Sequence, residues 1–376
     1  MLKKSSIILM LIVFLSNFLV GCWDKVEIED RAYALAIAVD INDEAPDEED
    51  ELLLTFAIPN NAAIAGEADE FNILFSSTGT NGYAIMRRLG TRMNNELYLG
   101  HLKAVIISDE VARRPKLFRE ILDAMEKDPL ISRKIYIALT EGKARKVLEV
   151  ESELEPLTPR YIREIFEGDR VTNRAPLLDL NDIFYKLHRN GNSIITRLTP
   201  GETDVKAGGG GVIKDFQLTG WLEEEEIRGL MYLRDEITFG GYELDYKNYR
   251  VPVEITESKT SYRLIEEDGN ISIIVDVTTE GDVRQFYFDP QETLLEHEIL
   301  EALETMFEEA IEDNIYLAIS ALQEEHEVDL AGLDKYIHKY HPSIWQKIKD
   351  DYEDVFPEID IVVNVDANIR RIGLTK

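Results

Sequence analysis

One cysteine, Cys22, stands in a chain of 376 residues, so no disulfide can form within it and every domain must hold together by burying apolar surface. The position of that cysteine narrows the possibilities further. Lys3 and Lys4 precede an unbroken apolar run over residues 7–15, and Phe18, Leu19 and Val20 follow Ser16 and Asn17 just before Gly21 and Cys22. A positive start, a short apolar stretch and a small residue ahead of a cleavage point make up an export signal. The run is well short of the ~20 residues a membrane-spanning helix needs. The sequence therefore predicts removal of residues 1–21 and no permanent transmembrane anchor.

Leu19-Val20-Gly21-Cys22 reads as a bacterial lipobox, in which the cysteine thiol takes a diacylglycerol before cleavage. The other reading is a buried N-terminal helix with a chance cysteine. A lone free thiol has no evident use outside the cytoplasm, whereas a lipidated one is no longer a thiol. Cys22 is thus the expected lipidation site, S-diacylglycerylated and N-acylated once it becomes the new terminus. Buried acyl methylenes contribute ~0.8 kcal/mol each, so two or more chains make a firm anchor.

The formal net charge is -32, and losing residues 1–21 removes two lysines and no acid, leaving -34. Such a surface excludes nucleic acid as a partner and repels anionic headgroups, so a lipid rather than a basic patch must hold the body at a membrane. The acids are spread along the whole chain, which favours solubility over a dedicated acidic binding function.

The roughly 355 remaining residues exceed what one core usually organises, which predicts two or three domains. Residues 22–145 form an N-terminal α/β domain, with strand-like runs at 31–41, 52–58, 103–108 and 134–139 and helical runs at 83–93 and 117–126. Residues 146–203 form a mainly helical middle region broken by Pro156, Pro159 and Pro176. The segment 203–211, with four consecutive glycines at 208–211, reads as a flexible linker. Residues 204–376 form a C-terminal α+β domain: a hairpin at 212–222, a helix at 223–232, strands at 249–255, 260–266 and 271–278, a long helix and a closing strand at 359–369. The expected class is multidomain α+β, with mixed and antiparallel sheets packed with helices and an antiparallel C-terminal sheet.

The long helix is the clearest element. Leu295, Ile299, Leu303, Met306, Ala310 and Ile311 fall on one face, with Glu301, Glu304, Glu308 and Glu309 between them. This predicts a core helix across the sheet, since helices that lie on membranes carry Lys and Arg instead.

Catalytic and metal motifs are weak. His297-Glu298-Ile299-Leu300-Glu301 begins like a zinc H-E-x-x-H, but a glutamate occupies the second histidine position. His338 and His341 form a close pair without a nearby carboxylate cluster. The glycines at 208–211 lack a following Gly-Lys-Ser/Thr, and no Gly-x-Ser-x-Gly occurs. Asp40-Ile41-Asn42-Asp43-Glu44, followed by acids at 47–51, approaches a calcium loop, but Ala45 stands where a glycine should turn the chain. A solvated acidic loop is the expectation there. His101 either lines a site or caps a strand entrance. No catalytic, cofactor or metal residue is predicted, and the chain is expected not to be an enzyme.

Several segments together resemble the Ger(x)C family, the C subunits of spore germinant receptors. They are Gly21-Cys22-Trp23-Asp24 with Glu27 and Asp30, then Ala36-Ile37-Ala38-Val39-Asp40, residues 97–103 with 105–111, and residues 157–162. Residues 211–229, 321–333, 341–345 and 356–372 continue the likeness. Asn60-Asn61 departs from the family's Asn-Pro, and Leu330-Ala331-Gly332 after Asp329 departs from an aromatic-Gly pair, which leaves those loop shapes open. The resemblance implies a germination lipoprotein on the outer face of the inner spore membrane. It would act there with a multi-pass A subunit and a transporter-like B subunit in nutrient sensing, without catalytic residues. The alternative is a free-standing lipid-anchored solute-binding protein.

Overall fold

The computed structural model describes residues 27–44, 51–168, 173–247, 249–267, 269–284 and 297–372. Cys22, the expected export signal and Leu295 lie outside the described residues.

In the first half the chain runs through β1 (Arg31–Tyr33), β2 (Ala36–Ile41), β3 (Leu52–Pro59), β4 (Asn72–Gly79), α1 (Gly82–Gly90), β5 (Glu96–Tyr98) and β6 (Ala104–Ser108). It continues through α2 (Pro115–Lys127), β7 (Tyr136–Thr140), α3 (Thr158–Glu167), α4 (Leu180–Asn190), β8 (Ser193–Pro200), β9 (Val205–Lys214) and β10 (Gln217–Leu222). Eight of these strands make one sheet in the order β10-β9-β8-β7-β6-β2-β3-β4, and β1 pairs with β5 apart from it. The central strands β2, β6, β7 and β8 run parallel, and the hairpins at either side are antiparallel.

Parallel strands must be covered on both faces, and the side-chain alternation here sorts residues by size. One face presents Ile37, Val39, Val105, Ile107, Ile137 and Leu139 to Leu117, Phe118, Ile121 and Leu122 of α2 and to Ile183, Phe184 and Leu187 of α4. The other, alanine-rich except for Ile106, presents Ala36, Ala38, Ala104 and Ala138 to Ile162 and Phe166 of α3. Helix α2 forms because Pro115 opens it with a preset φ and its apolar residues recur every three to four positions. Burying each contributes about 1.5–3 kcal/mol.

The second half begins with α5 (Glu224–Leu233), then β11 (Gly240–Tyr246), β12 (Tyr249–Glu267), β13 (Asn270–Val283), α6 (His297–Ser320), α7 (Leu333–Tyr340), α8 (Pro342–Ile348) and β14 (Asp360–Ile372). Its sheet, ordered β11-β12-β13-β14, is antiparallel through β13, and β14 joins β13 in parallel. The segments expected as separate strands at 249–255 and 260–266 are one 19-residue strand. A bulge between Ile255 and Glu257 makes the sequence look interrupted while pairing continues. Helix α6 lies on this sheet through Ile299, Leu303, Phe307, Ile311, Ile315 and Ala318, and α5 packs beside it. Met306 and Ala310 sit at the margin, only partly buried.

The glycine run needs correction. Gly208–Gly211 are buried in β9, Gly210 and Gly211 paired with β8 on one side and β10 on the other and the Gly209 N–H donating to the Arg174 carbonyl at 2.7 Å, so they are not a flexible linker. They are glycines because neighbouring groups come too close for a Cβ. One on Gly209 (φ +73°) would stand 2.5 Å from the Leu222 carbonyl, and one on Gly211 would stand 2.6 Å from Leu139. The boundaries expected at 145 and 203 both fall within the span that the eight-stranded sheet gathers.

Candidate functional site

The chain passes from the first sheet to the second core at Leu222 and Glu223, where β10 ends and α5 begins. The hairpin carrying it there turns at Asp215 and Phe216, both at positive φ, and Arg119 covers the turn with its guanidinium 4.2 Å from the Phe216 ring. Arg197 of β8 fastens the crossing. Its Nε donates to the Gly208 carbonyl at 3.1 Å, and its Nη1 donates to Glu223 at 2.9 Å and to Glu141 at 3.2 Å. The hydrogen bond that Glu223 accepts holds this half-sheltered guanidinium more firmly charged than usual and keeps the Glu223 carboxyl below its ordinary range. Glycine at 209 leaves room for that side chain, because a Cβ there would stand 2.8 Å from the Arg197 Nη2, while one on Gly208 would meet the Glu224 carboxylate. Glu226 caps the new helix by accepting the Glu223 N–H at 2.6 Å.

A second tie uses a histidine that sequence reasoning did not single out. Helix α6 widens after Ser320 into a π-helix, Ala321–Glu325, which delivers His326 onto β10. The ring is buried, its Nδ1 lies 3.1 Å from the Thr219 hydroxyl, and its Cε1 lies 2.6 Å from where a Cβ on Gly220 would be. Burial lowers its pKa. A Gly at 220 followed a hundred residues later by an interrupted helix is no pattern that spacing can reveal.

On the far side of the crossing, α4, α7 and the end of α5 line a half-open cavity of about 300 Å³. Asp329 organises the loop into α7, accepting the N–H groups of Gly332 at 2.7 Å and Asp334 at 2.8 Å and the Tyr352 hydroxyl at 2.9 Å. Gly332 takes φ +86°, which settles the loop shape that the sequence left open.

The residues singled out from sequence do not converge. His297 is exposed and pairs with Glu301 at 3.0 Å, His338 stacks on Trp345, and His341 turns to the Tyr336 hydroxyl. Among the described residues, no group of three or more His, Cys, Asp or Glu could hold a metal. His101 stacks on Tyr33 with ring centroids 4.9 Å apart, beside Tyr98, on which Arg31 rests. Asp40 corrects the expectation of a solvated acidic loop. It is fully buried in β2, and its carboxylate accepts the N–H groups of Ala144 at 2.6 Å and Arg145 at 3.0 Å, capping the short helix Arg145–Leu148. Burial raises its pKa, and those two bonds oppose the rise. The acids at 47–50 lie outside the described residues.

Two family models match the chain in tandem: the spore germination protein N-terminal domain over residues 24–200 and the spore germination B3/GerAC-like C-terminal domain over residues 208–373. The chain is 25% identical to spore germination protein YndF of Bacillus subtilis (strain 168), covering 100% of this chain and 98% of that protein. It is 23% identical to spore germination protein B3 of the same organism, covering 96% of each. The crystal structure of the GerBC protein superposes with a TM-score of 0.61 over 89% of this chain and 98% of that one, at 19% identity, so the two share a fold. With both halves matched in order, the chain belongs to the Ger(x)C family, the C subunits of spore germinant receptors.

Proposed function

We propose that this protein is a lipid-anchored, non-enzymatic subunit that works with membrane-embedded A and B subunits, its body held at the outer face of the inner spore membrane. The observation that carries the reading is the placement of the sole cysteine, Cys22, directly after a short apolar export signal. No described helix is long and apolar enough to cross a membrane. A lipid on Cys22 would then supply the attachment. At no more than about 3.5 Å per residue, the nine residues from Cys22 to Arg31 keep β1 within roughly 30 Å of the bilayer. In such a body the crossing at Leu222 and Glu223 is also the proposed boundary between two domains, which Arg197 and His326 hold together.

Two measurements test this. Metabolic labelling with a fatty acid should mark the wild type and not Cys22→Ala, which should stay an uncleaved precursor or appear in the soluble fraction. Label persisting on the variant would refute the anchor at Cys22. Affinity purification of the tagged protein from spore membranes should bring down a multi-pass and a transporter-like subunit. Recovery of the protein alone, together with tight binding of a free solute, would favour an independent solute-binding role.

A further inference from the structure

The cavity beside the crossing has an unusual charge inventory. Its wall carries Lys186 and Arg189 of α4, Arg234 just past α5, and Lys335 of α7, in a chain whose net charge is -32. The carboxylates on the same wall are already engaged. Asp334 pairs with Arg189, Asp329 is saturated by two backbone N–H groups and the Tyr352 hydroxyl, and Glu236 lies 3.8 Å from Arg234. Arg234 is buried and donates from Nε to the Leu330 carbonyl at 2.7 Å.

Lys186 has no such arrangement. It forms neither a hydrogen bond nor an ion pair among the described residues, although it is half-buried and shares a wall with a buried guanidinium. Burial together with the Arg234 charge pushes its ammonium down to about 8. An exposed lysine in the same helix would carry no such penalty. A cation kept in a cavity at a cost to the fold is the pattern of a site whose ligand completes the pairing.

We propose that this cavity binds a small monocarboxylate, its carboxylate group bridging Lys186 and Arg234. The charge count selects the class. The four cations of the wall, Lys186, Arg189, Arg234 and Lys335, exceed its three carboxylates, Glu236, Asp329 and Asp334, by one, an excess that matches a single negative charge rather than a dianion such as phosphate. The volume of about 300 Å³ is at the lower end for small-molecule sites and suits a small ligand. Because α4 belongs to the first body and α5 and α7 to the second, a bound carboxylate would draw the two halves together. This site goes beyond the receptor-subunit reading and does not depend on the anchor.

The test uses the full-length protein in mild detergent, at fixed ionic strength set with sodium chloride, with acetate, lactate, benzoate and inorganic phosphate as probes. At least one monocarboxylate should raise the unfolding temperature saturably, since a ligand that binds only the folded state stabilises it by mass action. Lys186→Met should weaken that binding roughly tenfold or more, because a charge-assisted hydrogen bond contributes at least that factor. Lys186→Arg should keep part of it. Calorimetry at pH 8 in two buffers of different ionisation enthalpy should show proton uptake on binding in the wild type and none in Lys186→Met. The groups facing Lys186 are Arg234, Glu236 and Asp182, so the variant isolates its own share of that proton. No saturable shift with any monocarboxylate, an equal shift in Lys186→Met, proton uptake unchanged in that variant, or a response to phosphate alone would each overturn the proposal.

Discussion

Glu304 of α6 reaches across to β14 and accepts the backbone N–H of Ile369 at 2.9 Å. One turn further on, Glu308 accepts the N–H of Ala367 at 3.1 Å, and the Tyr316 hydroxyl accepts that of Val363 at 3.1 Å. Strand β14 is the edge of its sheet, so a row of its donors would otherwise stand open to another chain. The acids on the long helix therefore have a structural task beyond solubility.

Replacing both Glu304 and Glu308 with Ala should cost about 1.5–3 kcal/mol for each hydrogen bond lost from a charged acceptor. Glutamine keeps an acceptor oxygen and should cost less. Urea unfolding measures the loss, and light scattering should detect self-association through the uncovered edge.

The same helix separates two kinds of apolar position. Phe307 is fully buried against Tyr242, with ring centroids 5.5 Å apart, while Met306 is only partly buried. Phe307→Asp should leave an unpaired buried charge costing several kcal/mol, a large part of a domain's ~5–15 kcal/mol. Met306→Asp should cost clearly less. Near-equal losses in thermal unfolding would contradict the packing described.

Elements driven by local pattern were legible in the sequence. Helix α2, the turn at 212–222 with β10 and α5, and the face of α6 through Ile299, Leu303 and Ile311 all follow from residue spacing. Features that depend on distant partners were not. Asp40 looks like the start of a solvated acidic run until Ala144 and Arg145 arrive from a hundred residues away to occupy its carboxylate. Glycines at 208–211 read as slack because sequence shows missing side chains but not the Leu222 carbonyl, Arg197 and Leu139 that press against them. His326, Lys186 and Arg234 belong to the junction of the two bodies, which no local periodicity encodes.

The glycine run gives its own test. Gly209→Ala puts a Cβ against the Leu222 carbonyl in a backbone conformation that L residues disfavour, and strain of that kind costs about 1–3 kcal/mol. The loss should appear in urea midpoints and loosen the Arg197 tie as well. Limited proteolysis should spare Arg197 and Lys206, whose backbones are held in β8 and β9. Early cleavage there would restore the linker reading.

Stability against pH should expose Lys186. Its folded value is about 8 against an ordinary 10.5. Below pH 8 the lysine is protonated in both states, and the fold bears the cost of a shielded ammonium. Between about 8 and 10.5 the unfolded chain holds a proton that the folded chain has released, so stability rises with pH across that window and levels off above it. The full gain is on the order of 3 kcal/mol, since each pH unit separating the folded and unfolded values contributes about 1.4 kcal/mol. Lys186→Met carries no such cost. It should be more stable than the wild type at pH 7, and the gap should close by that increment as the pH approaches 10.5. Urea midpoints measured from pH 7 to 10.5 on both proteins check this, and parallel curves would show that Lys186 is neither shielded nor unpaired in solution.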